Sequence, residues 1–223
     1  MNTSLNCQDM KEIRVKKIEA VQLRAADVSR VLEEQNIPEE SIDILNWEEY
    51  PYRPKVTFRI AHNNKCIFLN YRVEENSVRA VAGKDNGPVW TDSCVEFFLS
   101  FSPDAGYYNL EANCIGTVLL GKGKDRHGRI HVSPEIIDKI VRWSSLGREP
   151  FQEKPGLCRW ELSLVIPTEV FEEKTELSGK TIKGNFYKCG DELQTPHFLS
   201  WNPINTDKPD FHRPEFFGQI IFE

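Results

Sequence analysis

The residues best placed to do chemistry are Glu96, Glu111 and Asn113. In the run Trp90-Thr91-Asp92-Ser93-Cys94-Val95-Glu96-Phe97-Phe98, a loop leads into a strand. Strand side chains alternate between two faces, so Val95, Phe97 and Leu99 take a core face and Glu96 points the other way. In the next strand-like segment Leu110 and Ala112 alternate with Asn109, Glu111 and Asn113. Glu96, Glu111 and Asn113 are therefore expected to share one polar sheet face. Such a face suits a sugar, whose hydroxyls need bidentate acceptors and amide donors and whose C–H face needs an aromatic plane. Trp90 supplies one plane at the rim. Trp201, in a long proline-braced loop, is expected to supply a second. Both lie in turn-rich segments, which predicts that they stand about one sugar width apart, each at least partly exposed. Arg126, His197 and Asn202 flank the same loops and complete the candidate set.

Other chemistries fit less well. Glu96 and Glu111 could serve a glycoside hydrolase, which uses two carboxyl groups and needs one with a raised pKa as its acid. The segment shows no recognisable acid and nucleophile pair, so no catalytic residue is assigned. His127 and His131 are four apart but lack the Glu of a zinc-protease motif. The two methionines, Met1 and Met10, sit close to the start of the sequence, which disfavours a Met/His haem ligand pair.

The elements that must position these residues read mostly as strands. IRVKKI (13–18) is an opening strand, and Val28, Val31 and Leu32 within 25–35 have helical spacing that Pro38 stops. Strand-like runs follow at 55–62, 66–75, 78–83, 93–101, 107–121, 140–147, 158–167, 180–190 and 216–223, rich in β-branched and aromatic residues. Many short strands with little helix predict an all-β antiparallel sandwich or barrel, with less than about a fifth helix. No linker, repeat or low-complexity segment divides the 223 residues. One carbohydrate-binding domain over 1–223 is expected, with 1–39 a strand-and-helix extension. Two loops stand out: the polar 122–135 and the segment 191–215, which carries four prolines among aromatics and histidines. Long ordered loops are usually functional.

Bulk properties narrow the partners. A formal net charge of −6 and the lack of a long Lys/Arg cluster disfavour nucleic acid. No apolar run is long enough to span a bilayer, and the N-terminus lacks a signal-like apolar core. As written, the chain is expected in the cytoplasm, or in the periplasm or outside if a leader was removed. The six cysteines are scattered without a CxxC pair and read as free thiols.

WTDSCVEFFLSF resembles the W-x-D-x-x-x-E-x-F stretch of family-nine carbohydrate-binding modules and their DOMON-like relatives. YYNLEANCIGTVLLGKGKDRHGR, GNFYKCGDELQTPHFLSWNPI and PDFHRPEFFGQIIFE resemble a Bacteroidetes-type branch of that family, so the likeness covers roughly 40–223. The resemblance implies an antiparallel β-sandwich of two sheets, jelly-roll or immunoglobulin-like in architecture, that grips the end of a sugar chain between two tryptophans and cuts nothing. It implies Trp90 and Trp201 as walls, Glu96 as the hydroxyl acceptor, and Glu111 and Asn113 as polar residues of the neighbouring strand. Better-known members place a basic residue near Glu111, where this chain has an acid. The expected partners are a mono-, oligo- or polysaccharide and a glycoside hydrolase acting in carbohydrate catabolism. No organic cofactor is expected. Structural calcium is compatible with the family, and Asp104, Asp125, Asp207 and Asp210 are loop acids that could serve it.

Overall fold

In the computed structural model, residues 10–20 and 22–223 are described. Strand accounts for 44% of the structure and helix for 12%, within the expected limit. Two sheets face each other. The first carries β1 (Glu12–Lys17), β3 (Ile44–Leu45), β6 (Cys94–Ser100), β7 (Tyr107–Asn113), β8 (Val118–Gly123), β9 (Ile130–His131), β12 (Thr181–Cys189), β13 (Phe198–Ser200) and β14 (Gly218–Phe222). Its order is β1-β14-β12-β6-β7-β8-β9, with β13 beside the end of β12 and β3 beside β13. The second carries β2 (Glu40–Ser41), β4 (Lys55–His62), β5 (Cys66–Ala80), β10 (Val141–Ser144) and β11 (Phe151–Pro167), in the order β10-β11-β5-β4 with β2 on β4.

The opening strand forms the seam. Glu12–Val15 of β1 pair with β14, and Lys16–Lys17 pair with β4. Both pairings are parallel, a departure from a wholly antiparallel sandwich. The segment expected as an extension therefore joins the two sheets along one side. Helix α1 (Val28–Glu34) lays Val28 and Leu32 on Ala61, Phe68 and Val165, outside the second sheet. Helix α2 (Pro134–Ile137) is a single turn. Among the described residues, no helix is long and apolar enough to cross a membrane.

The main core lies between the sheets. Phe186 of the first sheet stacks on Phe58 of the second at 4.0 Å and on Phe97 at 4.5 Å, and such pairs add to simple area burial. The two runs expected at 66–75 and 78–83 form one continuous strand, because β11 pairs along its whole length, with register shifts near Phe151 and Pro155. A second core sits on the outer face of the first sheet. There the 201–217 segment folds down and Ile204, Phe211 and Phe217 meet Phe98, Tyr107 and Tyr187. That segment covers part of the face and leaves a cleft beside it.

Candidate functional site

The floor of the cleft follows from strand alternation. Val95, Phe97 and Leu99 enter the main core, while Cys94, Glu96 and Phe98 face outward. Register places Glu96 directly opposite Glu111, with Tyr187 and Leu119 continuing that row on β12 and β8. The adjoining rows pair Phe98 with Asn109 and Cys94 with both Asn113 and Cys189. Gly121 lies opposite Asn109, and a Cβ there would come within 2.6 Å of the Asn109 Oδ1. Glycine leaves room for that amide.

Trp90 stands on a short 3-10 turn, Val89–Thr91. The W-x-D spacing has a direct explanation. Asp92 is fully buried, and its carboxylate accepts hydrogen bonds from the backbone N–H groups of Val81 and Ala82 and from Asn113 Nδ2, each at 2.9 Å. Arg79 neutralises it at 3.3 Å. The anchored Asp92 fixes the turn, Val89 plugs into the outer core, and the indole between them stays 39% exposed at the mouth. The N–H of Asp191 donates to the Trp90 carbonyl at 3.2 Å and ties the far wall to the same turn.

The cleft encloses about 420 Å³, within the usual range for small-ligand sites. Besides Trp90, Glu96 and Glu111, its wall includes Phe198, Phe211, Arg126, Arg129, Asp191 and His212. Arg129 is locked in place. It donates to Asn109 Oδ1 and to the carbonyls of Tyr107 and Asp125, each at 2.8 Å, and its guanidinium lies 4.1 Å from the Tyr107 ring centroid. Tyr107 hydroxyl and His212 Nδ1 are hydrogen-bonded at 2.8 Å. Burial, helped by Arg129, pushes the His212 pKa down to about 3, so its imidazole is neutral.

The two glutamates are the unusual feature. Glu96 and Glu111 are 3% and 5% exposed. Glu96 Oε1 accepts from the Cys189 thiol at 3.2 Å and Glu111 Oε1 from Asn109 Nδ2 at 2.8 Å, while the Oε2 of each has no partner in the protein. Burial, then the Glu111 charge, holds the Glu96 carboxyl well above its ordinary range. Burial raises Glu111 to about 7 and Asp191 to about 6. At neutral pH the pair holds a proton, so it presents a donor and an acceptor side by side.

Four of the eight sequence-based candidates line this cleft: Trp90, Glu96, Glu111 and Arg126. The other four have different roles. Trp201 is fully buried, packed edge-on to Phe186, with its indole N–H donating to Glu40. The expected exposed second wall is corrected: β13 pairs with β12 and carries the following residue inward, where Trp201 N–H bonds Phe186 O. Asn202 is buried and braces the chain, accepting from Lys11 N–H and donating to Phe216 O. His197 is buried beside Lys188, which together with burial keeps it neutral. Asn113 shares the polar face but is spent on Asp92, the Ala82 carbonyl and Thr117 N–H.

Sequence reasoning missed Asn109, Arg129, Asp191, Phe198 and His212 as site residues. The polar 122–135 and proline-braced 191–215 loops had marked the segments that hold four of them. Loop sequence gives no period from which side-chain direction could be read.

Of the loop acids named for calcium, Asp125 and Asp210 line one pocket with Arg126. Among the described residues, the one group of at least three His, Cys, Asp or Glu ligands close enough to share an ion is Cys94, Glu96 and Cys189. Asp210 accepts from His212 N–H and faces Arg126, and Asp125 accepts from His127 N–H. His131 reaches the cleft rim, but no histidine belongs to that ligand group.

A two-sheet β-sandwich with a polar, tryptophan-rimmed cleft on one outer face defines a class of ligand-binding β-domains. Within that class the match is specific: the family described as Carbohydrate-binding family 9 matches residues 26–222, and the chain belongs to it. The crystal structure of a candidate carbohydrate-binding protein from Bacteroides uniformis ATCC 8492 is 49% identical, covering 96% of this chain and 100% of that one, with a TM-score of 0.93. A family-9 module from Caldicellulosiruptor kristjanssonii in complex with glucose has a TM-score of 0.61 at 12% identity, covering 96% of each chain. Its cellotriose complex gives 0.58 at 13%, covering 96% of this chain and 94% of that one. These two share the fold. No curated protein matches the chain.

Proposed function

We propose that the protein binds carbohydrate in the cleft over Glu96 and Glu111, gripping the end of a sugar chain. The observation that carries this is the coincidence of an exposed indole with two buried carboxyl groups whose second oxygens have no protein partner. Each such oxygen keeps hydrogen-bonding capacity that a ligand hydroxyl can take up. Sugar hydroxyls offer donors and acceptors in matching number, and the Trp90 face takes the C–H side of the ring. Phe198, on the same cleft wall, is the second aromatic contact in place of Trp201. Arg126 and Arg129 supply donors that an acidic floor alone lacks. Family membership and the sugar complexes of the Caldicellulosiruptor module support the same reading. A calorimetric screen with mono- and disaccharides tests it. Binding by wild type that disappears in Trp90→Ala is expected, and no binding to any sugar would overturn it.

The raised pKa of the glutamates favours hydrolysis as a second reading, since a glycosidase acid needs one. The geometry weighs against it. Glu96 and Glu111 are cross-strand neighbours on one floor and approach a ligand from the same side, whereas hydrolysis needs carboxyl groups flanking the bond. No reducing sugar should appear when the protein is incubated with glycans it binds, and turnover lost in Glu96→Gln would reverse this conclusion. A module that holds chain ends without cutting them gains its use from raising the local concentration of an enzyme. A glycoside hydrolase acting on the same polysaccharide is the partner this reading implies.

A further inference from the structure

The row of the floor behind the glutamates holds two thiols. Cys94 and Cys189 occupy directly paired positions on β6 and β12. Both side chains are buried, and their sulfur atoms and a carboxylate oxygen of Glu96 all lie within 4.8 Å of one another. The Cys189 thiol is already 3.2 Å from Glu96 Oε1. A tetrahedral zinc ion with Zn–S bonds of about 2.3 Å would set its ligand atoms at similar mutual separations.

A second observation points to an ion. Several carboxylates of this chain meet a cation: buried Asp92 has Arg79, half-buried Asp85 has Arg142, and buried Glu75 has Lys188. Glu96 meets a thiol and a second carboxyl group, and its Oε2 is buried without a partner. Among the described residues, neither Glu96 nor the buried Glu111 opposite it has an ion-pair partner.

We propose that Cys94, Cys189 and Glu96 form a binding site for a thiophilic divalent cation, of which zinc is the best fit. Two sulfurs exclude calcium and magnesium, which want oxygen cages, and select zinc among borderline metals. The fourth position faces the cleft, because Glu96 and Cys189 line it. A water or a sugar hydroxyl would fill that position. Binding is Zn²⁺ plus two thiols and the Glu96 carboxyl giving a zinc dithiolate carboxylate, with two protons released from sulfur and a third released when Glu96 carries the proton of the glutamate pair. Affinity should fall as pH falls, since the ligands must lose protons to bind.

The test uses the full chain, reduced with a phosphine and stripped with a chelator. Zinc is titrated against a chromophoric competitor, and cobalt is added separately to read thiolate-to-metal charge transfer. One zinc per chain and a cobalt–thiolate band are expected. Cys94→Ser and Cys189→Ser should each weaken zinc at least tenfold and remove the band, with circular dichroism as the folding control. If Cys94→Ser does not fold, Cys189→Ser and Glu96→Gln carry the test. Substoichiometric zinc in wild type, or affinity unchanged in the folded variants, would overturn the proposal. Sugar calorimetry on stripped protein separates this inference from the carbohydrate reading, because either can fail alone.

Discussion

Glu75 and Glu96 are both almost wholly buried, at 1% and 3% exposure, yet their surroundings differ. Glu75 lies where the two sheets meet. Lys188 Nζ reaches it at 2.9 Å across the gap, and Trp160 donates its indole N–H at 2.6 Å. The same ammonium donates to Cys189 O at 2.8 Å and to neutral His197 at 2.7 Å, while His197 Nδ1 meets Thr195 O. Every charge there is compensated inside the protein: Glu75 Oε2 has no hydrogen-bond partner but lies in an ion pair with Lys188. Glu96 lies on the outer face of the first sheet, meets another acid, and its Oε2 has neither a hydrogen-bond partner nor an ion pair among the described residues. The first arrangement fixes how the sheets sit together. The second keeps recognition capacity for something that arrives from outside.

The largest effect should come from breaking the compensated region. Lys188→Met leaves Glu75 buried without its cation, a change that typically costs about 3–5 kcal/mol. Chemical denaturation should report that loss, and a shift under about 1 kcal/mol would show that the ion pair is dispensable. Trp201→Ala should cost a similar amount, about 3–5 kcal/mol, because it empties a fully buried indole site. Trp201→Phe, by contrast, should keep sugar binding, and direct loss of binding in that folded variant would restore Trp201 to the site.

The uncompensated region should behave in the opposite sense. Folding holds the Glu111 proton up to about pH 7, whereas the ordinary value is 4.5. The folded state binds more protons between those values, so wild-type stability falls as pH rises through that window. Glu111→Gln removes the penalty. Its stability relative to wild type should rise by on the order of 3 kcal/mol from pH 4.5 to 7 and then level off. A flat difference across the window would mean that Glu111 titrates normally.

The smallest effect concerns the cleft wall. Phe198→Ala should weaken sugar binding about fivefold, the scale of one aromatic contact. Unchanged affinity would place the second contact elsewhere.

The sequence made the floor legible because alternation in 94–100 and 107–113 is strict, and one residue of slip would invert every side chain. That logic put Glu96 and Glu111 on one face. It also put Asn113 there, but alternation cannot show that the Asp92 turn consumes its amide. Trp201 illustrates the other limit. Proline-rich context marked 191–215 as an ordered loop, yet β13 forms inside it and its pairing decides which way Trp201 turns. The length of β5 was equally hidden, since only its partner β11 carries the strand past Asn76 and Ser77.

The central claim is that Trp90, above the two glutamates, forms a sugar-binding site. Its most direct test is titration calorimetry of wild type and Trp90→Ala with a panel of mono- and disaccharides that includes glucose. The account predicts wild-type binding in the micromolar to millimolar range, about −4 to −8 kcal/mol, and no measurable heat from a Trp90→Ala variant with unchanged circular dichroism. Equal affinity in the two proteins would contradict it.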